Sequence, residues 1–249
     1  MRFEAEGGHP VTEYPGCIFE TIRVEGGIPL FWDEHMARME NSLKALRGQE
    51  LRKEQIRTEV ARLKLPDLGG LRLLLLEDGS VFWSIRDIAP PDSAVLALAP
   101  EVRDSREPRY GHKTWEYGER LQELGRVRKD GCADSLYLNE KGFLSGNAIS
   151  NIFFFRGNQL CTPALDNGVL NGILRSILLE EGRGEEGWYT LQDLEKADVV
   201  FLTNSLLEIH LIRGIRGLSG YKLKEEGLLK ELRAKYEKRK EESRRLWHG

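Results

Sequence analysis

The sequence lacks any long hydrophobic run. Its longest stretch of consecutive leucines, at 73–76, is far shorter than the roughly 20 apolar residues of a membrane-spanning helix. The first ten residues, MRFEAEGGHP, also lack the apolar core of a signal peptide. We therefore expect a cytoplasmic protein that has no membrane partner.

Cysteine and histidine are scarce and scattered. The three cysteines, Cys17, Cys132 and Cys161, form no CxxC pair, and the five histidines share no metal-ligand spacing. This pattern excludes a disulfide scaffold and predicts reduced, mostly buried thiols. No metal site is expected.

Strong charge of one sign is also absent. The formal net charge is −3, with acidic and basic residues interspersed, so no long-range field attracts nucleic acid. GxGxxG, GxxxxGK[ST], HExxH and GxSxG patterns are missing as well. We expect a small-molecule ligand bound in a local pocket.

What is present is a mixture of hairpins and helices without a strict βαβ rhythm. Strand pairs are predicted about Asp78-Gly79, 140–142 and 156–158, and helices over 32–46, 53–63 and from Thr114 to Gly131. The fold class is therefore predicted to be α+β in two parts. The predicted division is an N-terminal domain over 1–103, a linker over 104–112 and a C-terminal domain over 113–249, which ends in a charged helix.

Five segments in order, from about residue 16 to 217, together resemble the class IV aminotransferases. GCIFETIRV followed by HMARMENS resembles the family's N-terminal pattern, and HKTWEY resembles its cofactor-lysine segment. The segments DSLYLNEKGFLSGNAISNIFFF, CTPALDNGVLNGILR and ADVVFLTNSLLEI follow in the family's order. Each match alone is weak, but their shared order makes the resemblance specific.

The resemblance implies a two-domain, fold-type IV enzyme similar to D-amino-acid aminotransferase. Such enzymes are homodimers that depend on pyridoxal 5′-phosphate (PLP). Lys113 would hold the cofactor, because its amine can form a Schiff base with an aldehyde and then serve as a base. Tyr117, four residues on, would share a helical face with Lys113 and approach the cofactor's phenolic oxygen.

The resemblance also implies residues that bind the cofactor phosphate, a dianion that needs several donors. Arg38 would supply the cation. Ile173 and Leu174 open a helix whose free N–H groups suit phosphate. Relatives usually carry threonine at the position of Leu174, so one hydroxyl donor is absent. Thr203, Asn204 and Ser205 would form a second donor cluster.

The largest departure from the family pattern is Gly146. Relatives place a glutamate there, and its carboxylate pairs with the pyridine nitrogen of the cofactor. An opposite charge at about 4–6 Å typically shifts a pKa by about 1–3, so its loss leaves the ring less readily protonated. Asn147 could supply a hydrogen bond instead, if its side chain points back to the ring, and water is another candidate.

Two activities within the family fit the chain. The compact length and the segment FLTNS resemble 4-amino-4-deoxychorismate lyase, a folate-synthesis enzyme that releases 4-aminobenzoate and pyruvate by β-elimination. Thr21 lies where the lyase has a threonine that aids the substrate. The alternative is a branched-chain or D-amino-acid aminotransferase, acting on an amino-acid-like substrate. A PLP-binding homologue weakened by Gly146 is the second alternative.

Overall fold

The computed structural model describes residues 1–5, 11–221, 223–224 and 227–248. The helices are α1 Trp32–Arg47, α2 Lys53–Val60, α3 Tyr117–Lys129, α4 Ile173–Gly182, α5 Leu191–Glu195 and α6 Gly227–His248. The strands are β1 Phe3–Ala5, β2 Ile18–Glu25, β3 Ile28–Pro29, β4 Leu68–Leu75, β5 Val81–Arg86, β6 Val95–Arg103, β7 Asp134–Asn139, β8 Leu144–Asn147, β9 Asn151–Arg156, β10 Gln159–Pro163, β11 Glu185–Gly187, β12 Val199–Asn204, β13 Glu208–Ile212 and β14 Gly214–Ile215. None of the described helices is long and apolar enough to cross a membrane.

Residues group by their contacts into two compact units. The first comprises 1–88, 112–118 and 239–249, and the second comprises 89–111 and 119–238. These ranges differ from the predicted domains because β6, over 95–103, pairs with β7 of the second unit rather than with a strand of the first. The units are defined by contacts and are discontinuous in sequence, whereas the predicted domains are continuous ranges. The two divisions are therefore not equivalent, and the predicted domain boundaries stay a prediction.

The first unit is built on one sheet, in the order β1-β5-β4-β2-β3. The predicted hairpin about Asp78-Gly79 is confirmed: β4 and β5 pair antiparallel, and Gly79 has φ +82°, which a side chain disfavours. Side chains of β2 alternate, and Ile18, Ile22 and others pack against α1 in the main core of this unit. Residues 239–248 of α6 also belong here.

The sequence alone favours Asp33, a typical capping residue, as the N-cap of α1, but the helix begins one residue earlier, at Trp32. The cap residue is Phe31, which has φ +55°. Its amide donates a hydrogen bond to the hydroxyl of Ser243 on α6, 2.5 Å away. A hydroxyl from a distant helix thus replaces the local cap that the sequence suggested.

The second unit contains two sheets, ordered β11-β10-β9-β12-β13 and β14-β6-β7-β8. Both remaining hairpins are confirmed, with turns between β7 and β8 and between β9 and β10. Their strands are buried almost throughout, and Phe154, Val200 and Leu136 contribute to one shared core. The three cysteines are free and buried, as predicted.

Candidate functional site

Lys113, in the segment HKTWEY, lies beside the beginning of strand β2. The amide of Phe19 donates to the carbonyl of Lys113 at 2.9 Å, and the amide of Trp115 donates to the carbonyl of Cys17 at 3.0 Å. These two backbone hydrogen bonds fix the segment around Lys113 as a short extension of the sheet. They fix the backbone from which the side chain of Lys113 extends.

The amine of Lys113 lies over two aromatic rings. Its Nζ is 4.4 Å from the ring centroid of Phe19 and 4.4 Å from that of Tyr117. The two rings meet edge to face, with centroids 5.6 Å apart. Both tyrosine and phenylalanine side chains are buried. The rings attract a cation electrostatically and keep one side of the amine away from bulk water.

The structure brings Lys113 and Tyr117 together, but not for the predicted reason. Helix α3 begins only at Tyr117, and Lys113 lies in extended backbone paired with β2. The two residues therefore do not share a helical face. They meet because the chain turns between them, with the amide of Tyr117 donating to the carbonyl of Thr114 at 3.0 Å.

Thr21 follows Phe19 by two residues on β2, so both side chains point to the same face of the sheet. Across the strand pair, Thr21 lies opposite Arg72 of β4, which is 2% exposed. Sequence reasoning missed Arg72, because its position opposite Thr21 depends on strand register. Thr21 itself is half-buried.

Arg38 is held by a carboxylate on the opposite face of the same strand. Its Nε donates to Oε1 of Glu20 at 2.7 Å, and its Nη2 donates to Oε2 at 2.6 Å. Nδ1 of His35 lies 2.7 Å from Oε2 of the same carboxylate. Glu20 and His35 are each 1% exposed, so this network is almost fully buried. The two-pronged contact fixes the plane of the guanidinium.

Burial and the neighbouring groups shift the pKa values of all three residues in this network. Burial works to raise the pKa of Glu20, but Arg38 and His35 outweigh it and hold that pKa well below its usual range. Burial lowers the pKa of His35, which is therefore neutral near pH 7 and donates its Nδ1 proton to Glu20. Burial opposes the charge of Arg38, yet Glu20 raises its pKa, and Tyr117 also interacts with this guanidinium.

In the second unit, the predicted phosphate-binding residues lie at the start of α4 and the end of β12. Helix α4 follows Gly172, its N-cap residue, which has no side chain with which to cap the first turn. The first backbone N–H groups of a helix have no partner within the helix. Ile173 and Leu174 have buried side chains, so only their N–H groups could serve a phosphate.

Asn151 connects these two segments. It is the register partner of Thr203 on β12, and its Oδ1 would collide with a Cβ placed on Gly172. The Oγ1 of Thr203 is buried and has no hydrogen-bond partner among the described residues. An orphaned hydroxyl and a free helix N-terminus on either side of Asn151 fit the donors that a phosphate needs.

The side chain of Asn204 makes hydrogen bonds within the turn after β12 and with Ser150. Its Oδ1 accepts hydrogen bonds from the amides of Leu206, at 3.0 Å, and Leu207, at 2.8 Å. Its Nδ2 donates to the hydroxyl of Ser150 at 3.2 Å. The side chain therefore shapes the turn after β12, while Ser205 lies within that turn. A role of Asn204 in phosphate binding would use its backbone.

Gly146 lies on β8 with φ +72°, a conformation that favours glycine. A Cβ at this position would meet nothing closer than the carbonyl oxygen of Ser150 at 3.7 Å, Val169 at 3.8 Å and Nη1 of Arg103 at 3.9 Å. Sequence reasoning missed Arg103, which ends β6 and is 3% exposed.

The side-chain amide nitrogen of Asn147 is bonded to the neighbouring strand. Its Nδ2 donates to the carbonyl of Ser135 on the neighbouring strand at 3.0 Å. Its Oδ1 is buried and lacks a hydrogen-bond partner among the residues described. Asp134, also on β7, accepts from the amides of Ser135 at 2.8 Å and Ala148 at 3.0 Å. Burial, opposed by these amides, raises the pKa of Asp134 to about 6.

Within the described ranges, no group of three or more His, Cys, Asp or Glu side chains is arranged to hold a metal ion. The donors at α4 and β12 instead suit an anion, and the amine of Lys113 suits an aldehyde. The residues present therefore fit PLP.

Comparison with known proteins agrees with this chemistry. The family described as amino-transferase class IV matches residues 17–215. The aminodeoxychorismate lyase of Bacillus subtilis (strain 168) is 28% identical over 220 residues, which cover 77% of this chain and 75% of that protein.

Solved structures share the fold. A Legionella pneumophila protein described as a "Putative 4-amino-4-deoxychorismate lyase" has a TM-score of 0.80 at 22% identity, covering 96% of this chain and 98% of that one. The PLP-bound form of a hypothetical aminotransferase from Mycobacterium tuberculosis has a TM-score of 0.79 at 18% identity, covering 94% and 95%. These matches confirm the predicted α+β, fold-type IV architecture. Because the family match extends over residues 17–215, most of the length of the chain, the chain belongs to the class IV aminotransferase family.

Proposed function

We propose that this protein is a PLP-dependent lyase that converts 4-amino-4-deoxychorismate to 4-aminobenzoate and pyruvate. The observation that carries the proposal is the placement of Lys113, whose backbone is bonded to β2 and whose Nζ lies 4.4 Å from each of two aromatic ring centroids. An amine so fixed is suited to hold an aldehyde cofactor and to move a proton at a defined place.

When bound, PLP withdraws negative charge from the substrate carbon that loses its proton. Lys113 Nζ takes that proton, and the rings of Phe19 and Tyr117 shield the amine from water. Thr21, on the same sheet face as Phe19, would orient the substrate through its hydroxyl. The neighbouring C–O bond of the substrate's ether then breaks, and its electron pair leaves on the oxygen of the pyruvate enol.

The phosphate of PLP would be held by backbone N–H groups at Ile173 and Leu174 and by the hydroxyl of Thr203. That hydroxyl is buried without a partner in the described structure, so a phosphate oxygen would satisfy it. The N–H groups of Asn204 and Ser205 complete this donor set. Arg38, oriented by Glu20, would supply the positive charge.

Amino transfer is the second candidate. The fold does not separate the two activities, because structures named as a lyase and as an aminotransferase have TM-scores of 0.80 and 0.79. The lyase is favoured by the Bacillus subtilis relative, which is similar over three quarters of its own length. The resemblance also supports a homodimer, a cytoplasmic location and a role in folate synthesis as parts of the proposal.

The proposal is tested by adding PLP to the purified protein and recording its absorbance spectrum. Borohydride reduction followed by peptide mass mapping should find the cofactor on Lys113. The variant Lys113→Arg should lose the adduct, whereas Lys141→Arg, at an exposed position, should keep it.

Activity is measured as pyruvate released from 4-amino-4-deoxychorismate. Release by the wild type and not by Lys113→Arg supports the lyase. Amino transfer to a 2-oxo acid without pyruvate release would support the second candidate. An adduct on Lys113 without either activity would indicate a weakened homologue, and no adduct at all would refute PLP dependence.

A further inference from the structure

The side chain of Arg103 places a positive charge next to Gly146. Its Nη1 donates to the carbonyl of Ser145, and its Nη2 donates to the carbonyl of Asn147 at 2.9 Å. The guanidinium thus binds the carbonyls on both sides of residue 146. Its Nη1 would lie 3.9 Å from a Cβ at that residue.

The arginine is held rigidly. Its guanidinium carbon lies 3.8 Å from the ring centroid of Tyr137 and 5.3 Å from that of Tyr110. A stacked, hydrogen-bonded guanidinium at 3% exposure keeps its charge under all ordinary conditions. Its field therefore acts permanently on any group that lies beside Gly146.

A Cβ on Gly146 would make only ordinary van der Waals contacts with residues beyond its chain neighbours, the shortest with the carbonyl oxygen of Ser150 at 3.7 Å. Residue 146 therefore has room for a side-chain carbon next to Arg103. The acid that the family pattern places here is absent, and the nearest charged side chain to the Cβ position is a cation. Compared with the family pattern, the sign of the nearest charge is reversed.

We infer that Arg103 is the residue that faces the pyridine nitrogen of the bound cofactor and keeps that nitrogen unprotonated. This inference rests on the proposed function, since it places PLP at Gly146. Arg103 acts as a hydrogen-bond donor there, and a guanidinium has no acceptor for a pyridinium proton. A positive charge also disfavours a second positive charge beside it.

Other titratable groups surround this arginine and enter the balance. Tyr137 and Tyr110 contact it directly, and burial raises the pKa of Tyr137 to about 12, so that ring stays neutral. Glu123, Asp134 and Glu101 act on Tyr137 from outside the contact. Of these groups, Arg103 lies closest to residue 146.

An unprotonated ring nitrogen withdraws less charge from the substrate carbon. Loss of the substrate proton is then most favourable when a leaving group departs at once from the neighbouring carbon. The feature thereby favours elimination over amino transfer, which must hold the negative charge until a proton returns.

The test uses the full protein loaded with PLP that carries nitrogen-15 in its ring. The nitrogen-15 NMR shift distinguishes a pyridine from a pyridinium directly, without any turnover. The variants are Gly146→Glu, which restores the acid, and Gly146→Ala, which carries the same backbone strain without a carboxylate. We expect a pyridine signal in the wild type and in Gly146→Ala near neutral pH.

In Gly146→Glu we expect a pyridinium signal, with the protonation equilibrium shifted roughly 10- to 1000-fold toward the charged form. A pyridinium signal in the wild type would overturn the inference and point to the orphaned Oδ1 of Asn147 as the partner. Equal shifts in both variants would also overturn it, since the carboxylate would then be irrelevant. Borohydride labelling of Lys113 in the same samples separates these outcomes from failure to bind PLP, which would overturn the proposed function as well.

Discussion

The buried side chain of Asp134 should make the free energy of unfolding depend on pH. It is 2% exposed on β7, and burial raises its pKa from an ordinary 3.8 to about 6. The folded state therefore binds the proton more tightly than the unfolded state does. A raised carboxyl pKa contributes stability that is full below the unfolded value and lost as pH rises through the folded value.

The magnitude follows from the difference in pKa. A difference of about 2 corresponds to about 3 kcal/mol in the free energy of unfolding. Between about pH 4 and about pH 8 the loss is about 2 kcal/mol, because part of the titration lies below that range. The variant Asp134→Asn should lack this loss, since an amide oxygen still accepts from Ser135 and Ala148 but cannot ionise.

Urea unfolding of wild type and variant at a series of pH values measures this effect. The difference in unfolding free energy between them should move by about 2 kcal/mol in favour of Asp134→Asn from about pH 4 to about pH 8. Asp92→Asn, at an exposed position, is the matched control and should show no comparable change. A difference that stays constant with pH would refute the reasoning, because Asp134 would then titrate alike in both states.

Three other changes probe the network, the terminal helix and the helix start. Glu20→Gln should lower the free energy of unfolding by about 3–5 kcal/mol, because it leaves Arg38 buried without its counter-charge; thermal melting measures this, and no change would contradict the pairing. Glu25→Gln should weaken the contacts of β2 with the cations of α6 by about 1.5–3 kcal/mol. Hydrogen exchange over 239–248 should then be faster, whereas Glu237→Gln, the exposed control, should leave it unchanged. Gly172→Ala should reduce PLP affinity in an absorbance titration, because its Cβ would collide with Asn151; unchanged affinity would separate the helix start from phosphate binding.

Local patterns in the sequence predicted much of the fold. The hairpin at Gly79 followed from two alternating strands and a glycine whose φ is positive in the structure. The helices predicted over 32–46 and 53–63 correspond to α1 and α2, because apolar periodicity is a local property of the sequence. The family resemblance then pointed to Lys113 as the candidate cofactor lysine, which stays a prediction; the structure adds its contacts with Phe19 and Tyr117.

What the sequence could not reveal depends on contacts between distant residues. Glu20 reads as a strand residue, and only the packing of α1 on β2 shows that it binds His35 and Arg38. Arg103 ends a strand more than forty residues before Gly146 in the chain, so nothing local relates the two. The helical-face argument for Tyr117 failed because α3 begins at Tyr117, three residues after the predicted start at Thr114.

The composition of the first unit has a consequence for its synthesis on the ribosome. Residues 239–248 belong to this unit, where Trp247 packs on Trp32 with ring centroids 5.1 Å apart. Residue 239 leaves the ribosome after the whole of 119–238, about 6–24 s later at roughly 5–20 residues per second. Throughout that interval the indole of Trp32 lacks its ring partner, and the amide of Phe31 lacks the hydroxyl of Ser243. The part of this unit that precedes residue 89 therefore completes these contacts only after residues 239–248 have been translated.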